Sequence, residues 1–211
     1  MEKNVQRFLS KTFFASLFLV SFIQAEVDIR QIENATDPRI NDAQQVFVRS
    51  FEKAYTEPSI YAGLNVPAPY PEFKAKGAGK EIFNEFKIFL QTPEEGEKFF
   101  LFVASDDNKI IGFASFKQRL NEPYEVYVDQ MAVDPDHWGS LTGKNLLFSI
   151  CNELPDLKKM LLITRRQNAR TIAFYKKHGF TESPFIEKGY DQEIYVGYEK
   201  DLVKQDGIER N

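Results

Sequence analysis

The stretch AVDPDHWGSLTGKNLLFSI, Ala132–Ile150, runs from the end of an apolar strand through a turn into an amphipathic helix. A glycine-bearing turn before a helix can aim backbone N–H groups at one point, and the helix dipole adds positive potential there. Such a junction suits an anion. Gly139 and Gly143 supply the glycines, while Ser140, Thr142 and Lys144 add hydroxyls and an ammonium group. Trp138 and Leu141 occupy places where a cation and another glycine would serve a phosphate better. Leu141 is expected in the right-handed region, because the left-handed one would strain it. A capped helix start with nothing bound accounts for the same residues.

A second group follows in NARTIAFYKKHGF, Asn168 to Phe180. Asn168 suits a helix N-cap and Gly179 a helix stop. Tyr175 lies seven residues beyond Asn168, and two helical turns span about seven residues, so an amide and a phenol line one groove. The plainer reading is a cap and a half-buried core tyrosine. Carboxylates able to act as a general base sit on the strand upstream: Asp129, two residues before Met131, and Glu125, four residues earlier on the same strand face. Both also fit ordinary polar positions flanking Tyr127.

The elements that must hold these residues follow from periodicity. Val27 and Ile29 alternate in EVDIRQI as in a strand, and INDAQQVFVRSFEKAY (40–55) repeats its apolar residues at helical spacing. Residues 56–80, rich in Pro, Gly and Tyr, read as a long loop, with Tyr61, Tyr70 and Phe73 as candidate walls for a second substrate or as a lid on the core. EIFNEFKIFLQT (81–92) is a short aromatic helix. KFFLFVAS and IIGFASFKQ flank the turn DDNK as a hairpin, and YEVYVDQMAV is a central strand. Residues 142–154 form a helix ending before Pro155, KKMLLITR a strand, and EIYVGYEKDL a closing strand. Strands alternate irregularly with helices, so the fold class is mixed α/β with an antiparallel centre.

Bulk composition narrows the function. At 211 residues the chain suits one domain, and a net charge of −4 argues against a nucleic-acid partner. Cys151 is the only cysteine, so no intramolecular disulfide forms, and two histidines without a cluster argue against a metal. Residues 1–25 read separately: a basic start with Lys3, Arg7 and Lys11, an apolar run of about a dozen residues, and Ala25 at the cut resemble a secretory signal peptide. An uncleaved anchor fits the same residues. The domain then spans 26–203, with a polar tail at 204–211.

Together, MAVDPDHWGSLTGKNLL and NARTIAFYKKHGF resemble the GNAT superfamily of acyl-CoA-dependent N-acyltransferases. The likeness follows element order from about Val27 to Leu202 and is sharp between Asp129 and Phe180. Met131, Ala132 and Val133 match the apolar-x-Val strand end. Trp138, Gly139, Ser140, Leu141, Thr142 and Gly143 fall on the R/Q-x-x-G-x-G/A phosphate turn and keep only its last glycine. Asn168, Ile172, Phe174, Tyr175, Lys177, Gly179 and Phe180 match the second cofactor helix.

The resemblance implies a single GNAT-like domain, with a mostly antiparallel mixed sheet, about four helices and splayed central strands forming a cofactor cleft. It implies acetyl-CoA as co-substrate, held by Met131–Val133, Trp138–Lys144, Asn168 and Tyr175, and no metal. A primary amine on a small molecule or protein attacks the thioester directly. Asp129 or Glu125 takes its proton, the amide of Ala132 or Val133 polarises the carbonyl, and Tyr175 serves the departing sulfur. A monomer or homodimer is expected, touching membrane only through an uncleaved N-terminal segment. A non-catalytic ligand- or protein-binding module on the same fold is the rival. Acetyl-CoA is cytoplasmic, so an exported transferase needs delivery into another cell's cytoplasm, or an anchor that leaves it facing its own.

Overall fold

A computed structural model describes residues 27–56 and 75–202. Their chain order is β1 Asp28–Ile32, α1 Arg39–Thr56, α2 Ala75–Gln91, β2 Glu97–Asp106, β3 Lys109–Arg119, β4 Glu125–Val133, α3 Thr142–Phe148, α4 Ile150–Glu153, β5 Lys159–Arg165, α5 Ala169–Lys177, β6 Thr181–Ser183 and β7 Tyr195–Asp201. The strands form one seven-stranded sheet in the order β1-β2-β3-β4-β5-β7-β6. Every neighbouring pair is antiparallel except β4 and β5, which run parallel. The expected mixed sheet is therefore present.

Each face of the sheet carries its own core. On one side α1 and α2 bury Phe47, Phe83 and Phe86 against Phe113 of β3. The Phe83 and Phe113 rings meet edge-on at 5.0 Å. On the other, Leu146, Leu147 and Tyr175 pack on Phe116, Val128 and Leu162. Each such side chain contributes roughly 1.5–3 kcal/mol on burial, which holds the helices to the sheet. The β2–β3 hairpin turns on Asp107 and Asn108, at φ of 47° and 66°. Short polar residues tolerate that left-handed pair, whose twist matches the strands.

Two boundaries differ from the sequence reading. Helix α2 starts at Ala75, inside the expected loop, because the Ala-Lys-Gly-Ala-Gly-Lys run is small enough to pack: a Cβ on Gly79 would lie 3.1 Å from Val48. The expected helix over 142–154 is interrupted at Ser149, whose N–H and hydroxyl both donate to the Leu146 carbonyl, at 3.2 and 2.8 Å. Tyr61, Tyr70 and Phe73 lie outside the described residues, as do residues 1–25 and the tail. Among the described residues no helix is long and apolar enough to cross a membrane.

Two irregularities shape the middle of the sheet. Between β3 and β4 the register passes from Phe116↔Val128 to Ser115↔Gln130, leaving Asp129 as the extra residue of a β-bulge. The bulge reverses the alternation of β4: Val126 and Val128 belong to one core before it, and Ala132 to the opposite core after it. The β4–β5 ladder ends at the same point, with Val128↔Leu162 its last pair, although β4 continues to Val133 and β5 to Arg165. From Asp129 onward the two strands separate.

Candidate active site

That separation opens a cleft of about 940 Å³. Its walls include the far halves of β4 and β5, one side of α1, residues of the loop from His137 to Lys144, one side of α5, and Tyr190 and Tyr195 beyond β6.

The bulge aims Asp129 into this space. Its carboxylate accepts a hydrogen bond from the fully buried Ser115 hydroxyl at 3.2 Å, and Lys117 Nζ lies 3.8 Å away. Ser115 also accepts the Gln130 N–H at 3.0 Å, so one hydroxyl repairs the ladder where the bulge breaks it and fixes the carboxylate beside it. Burial raises the Asp129 pKa, against the opposing pull of Lys117 and Ser115. A carboxylate moved toward neutrality is suited to accept a proton reversibly. Glu125, the other candidate base, lies outside the cleft walls and faces Lys159 at 3.8 Å. Four strand residues separate it from Asp129, about 13 Å of rise.

Strand alternation decides which amides face the cleft. The N–H groups of Gln130 and Asp134 point toward β3, to Ser115 Oγ and the Ile111 carbonyl. Ala132 shares their direction, so Met131 and Val133 present their N–H and C=O groups to the cleft. The Val133 carbonyl already accepts the Trp138 indole N–H at 2.7 Å.

The phosphate-loop residues divide by role. Gly139 has φ +89°, a conformation that disfavours any side chain. Leu141 is right-handed as expected, with φ −74° and ψ −9°, and its side chain points outward. A Cβ on Gly143 would meet the Phe174 ring at 3.2 Å, so glycine lets α3 close on α5 without displacing that ring. The N–H groups of Gly139, Leu141, Gly143 and Lys144 have no acceptor among the described residues. Ser140 hydrogen-bonds the Thr142 hydroxyl at 2.9 Å; Thr142 is fully buried and outside the cleft walls, while Lys144 is exposed on them. Before the loop, buried Asp134 accepts the Asp136 N–H at 3.1 Å and pairs with Arg49 of α1, Nε at 2.9 Å. Burial pushes the Asp134 carboxyl up, but Arg49 and Asp136 outweigh it and leave it below the ordinary carboxylate value.

Asn168 caps α5, its Oδ1 accepting the Thr171 N–H at 3.1 Å, and Gly179 ends the helix region at φ +83°. Asn168 and Tyr175 both line the cleft. Tyr175 is 6% exposed, and burial alone raises its pKa, which keeps the phenol protonated and able to donate a hydrogen bond. Several wall residues carried no earlier assignment. Arg170 stacks on Trp138 at 3.9 Å, and Arg165 donates to the Tyr195 hydroxyl at 3.0 Å. Tyr190 meets Tyr195 edge-on at 4.8 Å. Arg170 was within reach of the sequence, two residues after the cap; Tyr190 sits in an aperiodic segment that offers no signal.

Unpaired loop amides, a glycine that admits α5 and a cleft of this volume fit the arm and diphosphate of an acyl-CoA. Among the described residues no group of three or more His, Cys, Asp or Glu gathers to hold a metal. The model of the acetyltransferase (GNAT) family matches residues 65–180, more than half of the chain. The chain belongs to the GNAT acetyltransferase family.

Solved structures show the same fold. The PaiA N-acetyltransferase of Thermoplasma acidophilum, in complex with coenzyme A, is 19% identical with a TM-score of 0.62, covering 83% of this chain and 99% of its own. An acetyltransferase from Thermus thermophilus is 16% identical at 0.55, with 83% and 97% covered. The ribosomal-protein-S18-alanine N-acetyltransferase of Escherichia coli is 18% identical at 0.52, with 86% and 99% covered. No curated protein matches the chain.

Proposed function

We propose that this GNAT protein transfers an acetyl group from acetyl-CoA to a primary amine on a cationic acceptor. One observation carries the reading: the bulge, the splay and α5 bring the Asp129 carboxylate, an outward Val133 amide and the protonated Tyr175 phenol to a single cleft. Acetyl-CoA would lie along Val133, the loop amides and Asn168, supplying a thioester open to attack by an amine. Asp129, directly or through water, takes the ammonium proton and frees the amine lone pair. The Val133 N–H stabilises the charge that builds on the carbonyl oxygen. Tyr175 donates its hydrogen toward the thiolate that departs.

The net charge of −4 and the Asp129 carboxylate on the cleft wall support a cationic acceptor through electrostatic steering, and polyamines, amino sugars and lysine side chains all meet the requirement. Residues 1–25 are read as an export signal or anchor; delivery into another cell's cytoplasm would give an exported protein access to acetyl-CoA.

The rival reading is a binder without turnover, favoured by Trp138 standing where the family places a cation. Thermal melting with CoA tests the cofactor first. At a hundredfold excess over Kd a ligand of the native state adds about 2.7 kcal/mol, a rise of about 5–10 °C for a domain of this size. Absence of a rise would remove the proposal. A rise without acetyl transfer to spermidine, glucosamine or a lysine peptide would establish the binder.

A further inference from the structure

The phosphate loop contributes amides and, at its far end, Lys144, but Trp138 stands at the first position, where the family turn carries Arg or Gln, and a cation lies directly on that tryptophan. Trp138 is fixed at its edge: the indole N–H is tied to the Val133 carbonyl at 2.7 Å. On its face lies the guanidinium of Arg170, 3.9 Å from the ring centroid. Arg170 occupies the first turn of α5 and is exposed, with no hydrogen bond or ion pair among the described residues. A stacked guanidinium keeps its in-plane N–H edge available and has surrendered much of its rotamer freedom beforehand. Both residues line the cleft beside Gly139, Ser140 and Gly143. An aromatic platform that holds an unpaired arginine next to unpaired amides is the arrangement that binds a doubly charged oxyanion.

We propose that Arg170, presented on the indole of Trp138, binds the diphosphate of CoA and so supplies from α5 a cation for the loop's first position, which Trp138 occupies. The assignment rests on the acetyl-CoA reading above. It explains why tryptophan is compatible with this position: the ring carries the charge that it does not itself possess.

Titration calorimetry on the full chain tests the assignment with CoA and with dephospho-CoA, which keeps the diphosphate but lacks the ribose phosphate. Arg170→Ala is expected to raise the Kd for both by about tenfold, with a melting temperature unchanged in the absence of ligand. Trp138→Ala is expected to cost a similar factor, and the double variant little more than either single one, because the two side chains act as one unit. Wild-type affinity in Arg170→Ala would overturn the assignment, as would a loss confined to CoA, which would place the arginine on the ribose phosphate. Wild-type protein silent toward both nucleotides would overturn the acetyl-CoA reading, and this assignment with it.

Discussion

Replacing Asp129 with asparagine should make the protein more stable and nearly inactive at once. The carboxylate is 15% exposed, with Ser115 at 3.2 Å and Lys117 at 3.8 Å, and burial still raises its pKa. In the unfolded chain an aspartate titrates near 3.9, so between that value and the higher native one the folded state binds more protons. Stability therefore falls as pH rises through this window, and the full penalty is present above it. Each pH unit by which the native value exceeds the unfolded one costs about 1.4 kcal/mol, or about 3–6 °C in melting temperature for a domain of this size. Asparagine has the same shape, accepts the Ser115 hydroxyl through Oδ1 and carries no charge to desolvate. Melting curves of Asp129→Asn should lie above wild type at pH 8 and converge with it as pH falls toward the unfolded carboxylate value near 3.9. Turnover, followed as thiol release with spermidine, should drop by about 10²–10⁴, with CoA affinity within twofold of wild type. Retained turnover would show that Asp129 is not the base. Lost turnover with a lower melting temperature at pH 8 would show a structural carboxylate instead.

Tyr175→Phe should reduce turnover by at least about tenfold with little change in CoA affinity, measured as separate kcat and Kd values. The pairing of Asp134 with Arg49 stabilises above the unfolded carboxylate pKa and is lost as pH falls through the lower native value, so urea melts should weaken below about pH 4. Arg49→Ala should cost about 1–3 kcal/mol at pH 7 and flatten that acid dependence. Gly143→Ala places a methyl against Phe174, which is itself held by Tyr175 at 5.3 Å and His178 at 4.4 Å. It should cost about 1–3 kcal/mol in a thermal melt and weaken CoA in calorimetry by shifting α3 off α5.

The sequence by itself determined whatever depends on local spacing. Alternating Val and Ile marked the strands, Asn168 marked the start of α5, and the two segments around Gly143 and Tyr175 carried the family likeness. Leu141 had to be right-handed because its own Cβ allows little else. The start of α2 was hidden, since Gly and Ala runs look like loop until Gly79 is seen against Val48. Tertiary structure alone put Asp129, and not Glu125, on the cleft wall. Periodicity placed both on one strand face, but the bulge at Asp129 and the end of β4–β5 pairing beside it direct only the former into the cleft. A bulge arises from a mismatch between two strands and leaves no period in either. The stacking of Arg170 on Trp138 was likewise decided by tertiary structure, because residues 32 positions apart meet only when the loop before α3 is brought against the first turn of α5.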